Sequence, residues 1–321
     1  MSRSLHFRFA VTRSGLRRVL NLGRSLAAGV VILAVAAQAW SQAPAPATPP
    51  GPPTTAPTTP VIPKPEDVTL STGSAGDPEP LALQATYYAS FKDDGAVPVI
   101  LLHMYNGSRA DYGNLAKSLQ LLGHAVLAPD LRGHGGSTKF ANEALKPLSV
   151  ATLRGNQFEA MPVFDVESCR IFLQSKKNVN IEKLCVVGAE MGSVVALVYA
   201  LRDWSWPDLG GRKQGKYVKA LVLISPDMKF RGLKAARAMA DPNISGGLSI
   251  LMAVGQKDGS GAQTMKSMFE RRHPKPAKKE DKSFFYVPMP TSLKGTNMLG
   301  KGLGLETVIA DFIDRRLVKA K

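Results

Sequence analysis

The chain has 321 residues, 44% of them hydrophobic, and its 41 Lys and Arg against 25 Asp and Glu give a formal charge of +16. That length and apolar content suit one sizeable domain or two small ones and exclude a fibrous or wholly disordered chain. The two cysteines, Cys169 and Cys185, come without a CxxC or Cys/His cluster, which argues against a metal site; Cys185 sits in an apolar run, and two unpaired thiols are expected.

Six arginines (Arg3, Arg8, Arg13, Arg17, Arg18 and Arg24) fall in the first 24 residues, and Glu66 is the first acid. Behind them Ser25 to Ala39 is apolar and uncharged, but shorter than the roughly 20 residues a spanning helix needs. With small residues at Ala37, Ala39 and Ser41, the pattern predicts a secretory signal peptide over residues 1–41; an uncleaved N-terminal anchor is the alternative. The expected location is the periplasm, the cell envelope or the exterior, with no transmembrane span once the signal is removed. Loss of the six arginines takes the charge from +16 to +10, enough to favour anionic envelope polymers or lipid headgroups, or simply to keep the chain soluble.

From Ala43 to Pro65 the sequence is almost wholly Pro, Ala and Thr, with ten prolines and no aromatic residue. Such a stretch cannot bury a core, so residues 42–68 read as an extended tether and 69–321 as the folded domain.

Within that domain "LALQATYYAS" (Leu81 to Ser90) alternates like an early edge strand, and "VPVILLH" (Val97 to His103) is a continuous buried one. Gly123 to Asp130, Lys183 to Gly188, Val218 to Ser225, Leu248 to Gly255 and Ser283 to Pro288 continue the series. Helical patterns fall between them. Arg109 to Leu122 has Ser108 as N-cap and Asp111 in its first turn; Leu305 to Leu317 has one apolar face, with Glu306 early and Arg315 and Arg316 late, matching the helix dipole. This alternation predicts an α/β fold, a mostly parallel twisted sheet covered by helices on both faces. No long insertion follows Val218 to Ser225, so no large lid domain is expected, and the loop Asp203 to Tyr217 is the expected cover. The basic run Arg271 to Lys282 contains Pro, both signs of charge and no aromatics, which suits a solvated loop and not a nucleic-acid surface. "GKGLG" (Gly300 to Gly304) lacks the preceding strand and spacing of a phosphate-binding fingerprint and reads as a helix lead-in.

Four segments carry a resemblance: "VILLHMYNGSRADY", "GHAVLAPDLRGHGGS", "VVGAEMGS" and "ILMAVGQKDGSG". Together they are similar to the α/β-hydrolase family over about Val97 to Arg316. The resemblance implies an α/β-hydrolase fold, with an oxyanion hole near Met104 and Met191 and a cleft near His103 and Tyr105. It puts the nucleophile elbow at Gly188 to Gly192, where Glu190 stands in the place of the usual Ser. It puts the triad acid at Asp258, with Asp227 as a second choice. In the loop after the last strand, Lys294 stands where the triad His is expected.

These two substitutions decide what chemistry is open. A carboxylate at the elbow is tolerated beside a helix N-terminus, but as a nucleophile it still needs a base to activate water. A lysine is protonated at neutral pH unless strongly desolvated. The histidines outside that loop are His6, His103, His124, His134 and His273, of which only His273 is weighed as a displaced base; Ser193 is discounted as a shifted nucleophile because it points along its helix. An ion pair between Glu190 and Lys294 is therefore expected in place of the Ser–His contact. The leading reading is an exported, non-catalytic protein that binds a ligand or partner in the former cleft. One alternative is a hydrolase of ester or related acyl bonds using Glu190 or other residues; the other is a basic structural protein of the envelope. No cofactor, metal or nucleic acid is expected, the candidate ligands are a small molecule or an envelope polymer, and nothing in the sequence sets an oligomeric state.

Overall fold

The computed structural model describes residues 60–207, 209–211, 213–273 and 283–319. The expected signal segment, most of the expected tether and most of the basic run lie outside them. The strands in chain order are β1 (Glu66–Ser71), β2 (Ala82–Tyr88), β3 (Pro98–Leu102), β4 (Ala125–Pro129), β5 (Leu184–Ala189) and β6 (Val218–Ile224). A short hairpin of β7 (Lys229–Phe230) and β8 (Leu233–Lys234) follows, then β9 (Ser249–Gly255) and β10 (Phe284–Met289). All but the hairpin join one 8-stranded sheet in the order β1-β2-β4-β3-β5-β6-β9-β10. The pairings of β1 with β2 and of β2 with β4 are antiparallel; every pairing from β4 to β10 is parallel.

The parallel strands β3, β4, β5 and β9 are buried along their whole length and β6 nearly so, which is why they read as unbroken apolar runs; β10, at the edge, is only partly buried. Successive side chains point to opposite sides of the sheet. Val99, Leu101, Val187 and Val222 meet α1 (Gly113–Leu121) and α7 (Leu305–Ile313), whose Leu115, Leu119, Ile309 and Phe312 fill that core. Ile100, Leu102, Val186 and Leu221 face the other side, covered by α3 (Val166–Gln174), α4 (Met191–Ser205), α5 (Ala236–Ala240) and α6 (Ser260–Arg272). A further short helix, α2 (Gly155–Ala160), buries Phe158 in the same core. The sheet covered on both faces is thus as expected. Cys185 belongs to the first core and Cys169 to the second; the sheet stands between them, and both thiols are free.

Two expectations are corrected. The segment Leu81 to Ser90 is not an edge strand, because β1 pairs outside it, with Leu70 opposite Leu83. The folded chain also begins before residue 69. β1 starts at Glu66, and the Gln120 side chain donates to the Pro63 carbonyl at 3.0 Å; a proline lacks the N–H but keeps its acceptor. The "DLRG" turn after β4 is scaffold. The buried Arg132 guanidinium donates to Asp165 at 2.7 and 2.9 Å and to Asp77 at 2.9 Å, joining three distant segments.

Candidate functional site

Parallel strands in register end together. Leu102 lies beside Gly188, Ala189 beside Ile224, Ile224 beside Ala253, and Gly255 beside Met289. The residues that follow these strands, among them Glu190, Ser225, Asp258 and Lys294, gather at the C-terminal edge of the sheet.

The β5–α4 turn is built on two close backbone approaches. A Cβ at Gly192 would stand 2.1 Å from the Leu102 carbonyl oxygen, and one at Gly188 only 2.2 Å from the Gly192 carbonyl oxygen. Between them Glu190 adopts φ 45°, ψ −107°, a conformation that costs a non-glycine residue on the order of 1–3 kcal/mol. Hydrogen bonds hold it there: the Glu190 N–H donates to Ile224 O at 2.9 Å, and the Glu190 carbonyl accepts from Ser193 N–H at 3.0 Å. The fully buried Ser193 hydroxyl donates to Gly188 O at 2.6 Å and Ile224 O at 3.2 Å, so it braces the turn and does not face the cavity.

Glu190 opens into a cavity of about 230 Å³. Ser225, Asp227, Asp258 and Lys294 supply its other polar groups, and Met191, Val194 and Phe230 its apolar wall. Among the described residues the Glu190 carboxyl has no hydrogen bond and no ion pair within reach. Burial pushes its pKa up, with Lys294 pulling it down and Asp258 pushing it further up. On its other flank sits Gly295, where a Cβ would lie 3.2 Å from the Glu190 Cγ and 2.9 Å from the Met104 sulfur. The Gly295 N–H donates to the Ser225 hydroxyl at 2.9 Å, closing the last loop over the turn. Met191, as the first residue of α4, has an N–H with no acceptor inside its helix.

Lys294 does not pair with Glu190. Its ammonium is 4.0 Å from Asp258, whose second oxygen accepts the Gly255 N–H at 2.5 Å. The order of strands explains this: β10 lies directly beside β9, whereas β6 and β9 separate it from β5. Glu190 senses Lys294 as a nearby charge, not as a bonded partner.

The two expected cleft residues lie elsewhere. His103 is fully buried: Nε2 accepts the Leu131 N–H at 2.9 Å and Nδ1 donates to Met104 O at 2.8 Å, tying the end of β3 to the end of β4. Burial lowers its pKa to about 4, so the ring is neutral. Tyr105 supports the β7–β8 hairpin, its ring 5.3 Å from Phe230 and 6.3 Å from Phe158, with the Arg231 guanidinium 4.5 Å above it. The hairpin occupies the space that the sequence left open for a cleft beside Tyr105. His273 is buried between the carbonyls of Phe269 and Leu248, and His134 bonds to Arg132 O. Among the described residues no histidine lines the cavity.

The cover over the cavity is also not the expected one. Helix α4 starts at the turn and runs back along the sheet, about 22 Å over its 15 residues, so the loop after it lies at the opposite edge. The segment after β6 covers the site instead, through Pro226, Asp227 and Phe230. Of these only Asp227 carried a chemical signal in the sequence; Phe230 carried none.

Residues 97–272, more than half the chain, match a family model described as alpha/beta hydrolase fold. No curated protein is matched. Among solved structures, an esterase of Pyrococcus furiosus superposes with a TM-score of 0.54 at 14% identity, covering 79% of this chain and 91% of that one. An alpha/beta hydrolase of Penicillium sp. gives a TM-score of 0.53 at 15% identity over 79% and 99%, and a dienelactone hydrolase of Anabaena variabilis gives 0.51 at 17% over 79% and 98%. At such identities the likeness is one of fold.

Proposed function

Because the chain belongs to the alpha/beta hydrolase fold family, we propose that it is an exported, tethered member that binds a small ligand at the former active site without hydrolysing it. One observation carries this reading. Asp258, at the end of β9, holds a lysine ammonium at 4.0 Å and not an imidazole. An ammonium has no lone pair with which to take a proton from water, and among the described residues no histidine lines the cavity to activate water against a Glu190 ester in its place. The remainder is a bounded cavity with charged walls, suited to retention and not to turnover.

The test uses purified protein and p-nitrophenyl acetate and butyrate. The wild type is expected to release no nitrophenol above buffer, and the double variant Glu190→Ser plus Lys294→His to release more than either single variant. Wild-type turnover abolished by Glu190→Ala would overturn the proposal in favour of a carboxylate nucleophile.

A further inference from the structure

We infer that the cavity selects small organic cations, an ammonium group carried on a compact apolar body. This rests on the ligand-binding reading above and gives the ligand its chemistry. Glu190, Asp227 and Asp258 bring three carboxylates to the cavity wall, and Lys294 brings the one ammonium. That ammonium lies against Asp258. Asp227 spends one oxygen on the Met228 N–H at 2.7 Å, and Glu190 spends none. The N-termini of α4 and α6 also border the space, through Met191 and through Gly259 and Gly261. Each contributes at most about half a positive charge. With all three carboxylates ionised, the two helix ends set against an excess of two carboxylates leave the lining negative by about one charge.

The occupant is an organic cation and not a metal ion, because no three acidic, histidine or cysteine side chains among the described residues converge closely enough to hold one. The carboxylates stand around the cavity with Val194, Met191 and Phe230 between them. Such a wall suits an apolar body with a charged head. A volume of about 230 Å³ limits the ligand to a small molecule. Arg231 is outside the cavity lining, its guanidinium 4.5 Å from the Tyr105 ring centre and 5.9 Å from that of Phe230, so it is a competing cation behind the wall and not within it.

Three probes of one shape separate charge from fit: benzylammonium, benzyl alcohol and benzoate, titrated calorimetrically at low salt into the whole protein. Benzylammonium is expected to bind about tenfold or more tighter than the alcohol, with benzoate weakest. Glu190→Gln and Asp227→Asn should each weaken benzylammonium and leave the alcohol unchanged, while Lys294→Met should tighten benzylammonium. Equal binding of the three probes, a preference for benzoate, no binding of any, or an unchanged ammonium affinity in both carboxamide variants would overturn the inference. Neutral or anionic binding without ester turnover would leave the non-hydrolytic reading intact, whereas Glu190-dependent turnover would remove that reading itself.

Discussion

Replacing Glu190 by glycine should stabilise the protein relative to replacing it by alanine, the reverse of the usual order of these two residues. Both variants remove the carboxyl and its buried contacts, so their difference isolates the backbone. At φ 45°, ψ −107° an alanine keeps a strain of about 1–3 kcal/mol, which glycine does not feel. Glycine gives back about 0.4–1 kcal/mol through the freedom it adds to the unfolded chain. The balance is about 1 kcal/mol or somewhat more in favour of glycine, which in a domain of this size raises the melting temperature by roughly 2–4 °C per kcal/mol. Thermal denaturation followed by circular dichroism, with both variants at one pH and concentration, measures it. An alanine variant melting at or above the glycine variant would refute the argument that the turn is held against its backbone preference by Ile224 and Ser193.

Three further outcomes are expected. Burial raises the Glu190 pKa in the folded protein, so the ionised form costs the native state; wild type should lose stability relative to Glu190→Gln as pH rises from the unfolded value, about 4.3, through the raised folded one, as measured by urea titration across that range. Asp165→Ala should cost about 3–5 kcal/mol, because it leaves the buried Arg132 guanidinium with Asp77 alone; a denaturation midpoint near wild type would show the pair to be dispensable. Burial pushes both thiols upward in pKa, so Cys169 and Cys185 should stay unreactive toward a thiol-specific reagent in the native state and react in parallel on unfolding.

The parallel strands β3, β4, β5, β6, β9 and β10 were legible because a sheet covered on both faces requires long apolar runs, and those runs are what the sequence displays; the β7–β8 hairpin, two residues to a strand, left no such run. β1 was not legible, since Glu66, Asp67, Thr69 and Ser71 face outward at an edge and only Val68 and Leu70 suggest burial. The turn at Glu190 could be read from Gly188 and Gly192, whose smallness is dictated by backbone atoms 2.1 and 2.2 Å from any added Cβ. The partnership of Lys294 could not be read. Which carboxylate a lysine reaches depends on which strands are neighbours, and that order is a property of the sheet and not of any single motif. Tyr105 and Phe230 show the same limit: whether an aromatic side chain lines a cavity or fills it depends on the hairpin that packs against it.

The cavity is assembled from turns that are far apart along the chain, and its lysine rides on the loop after β10. β10 is an edge strand, held to the rest of the sheet through β9 alone. The hydrogen bonds from the Gly295 N–H to Ser225 and from the Thr296 hydroxyl to Asp111, the latter at 3.3 Å across 185 residues, fasten that loop to segments laid down much earlier. A chain emerging from synthesis therefore has no complete cavity until its last strand has docked. Once formed, any ligand spanning Glu190 and the Lys294 loop acts as a clasp on the edge of the sheet, slowing the fraying and hydrogen exchange of β10 in proportion to its occupancy.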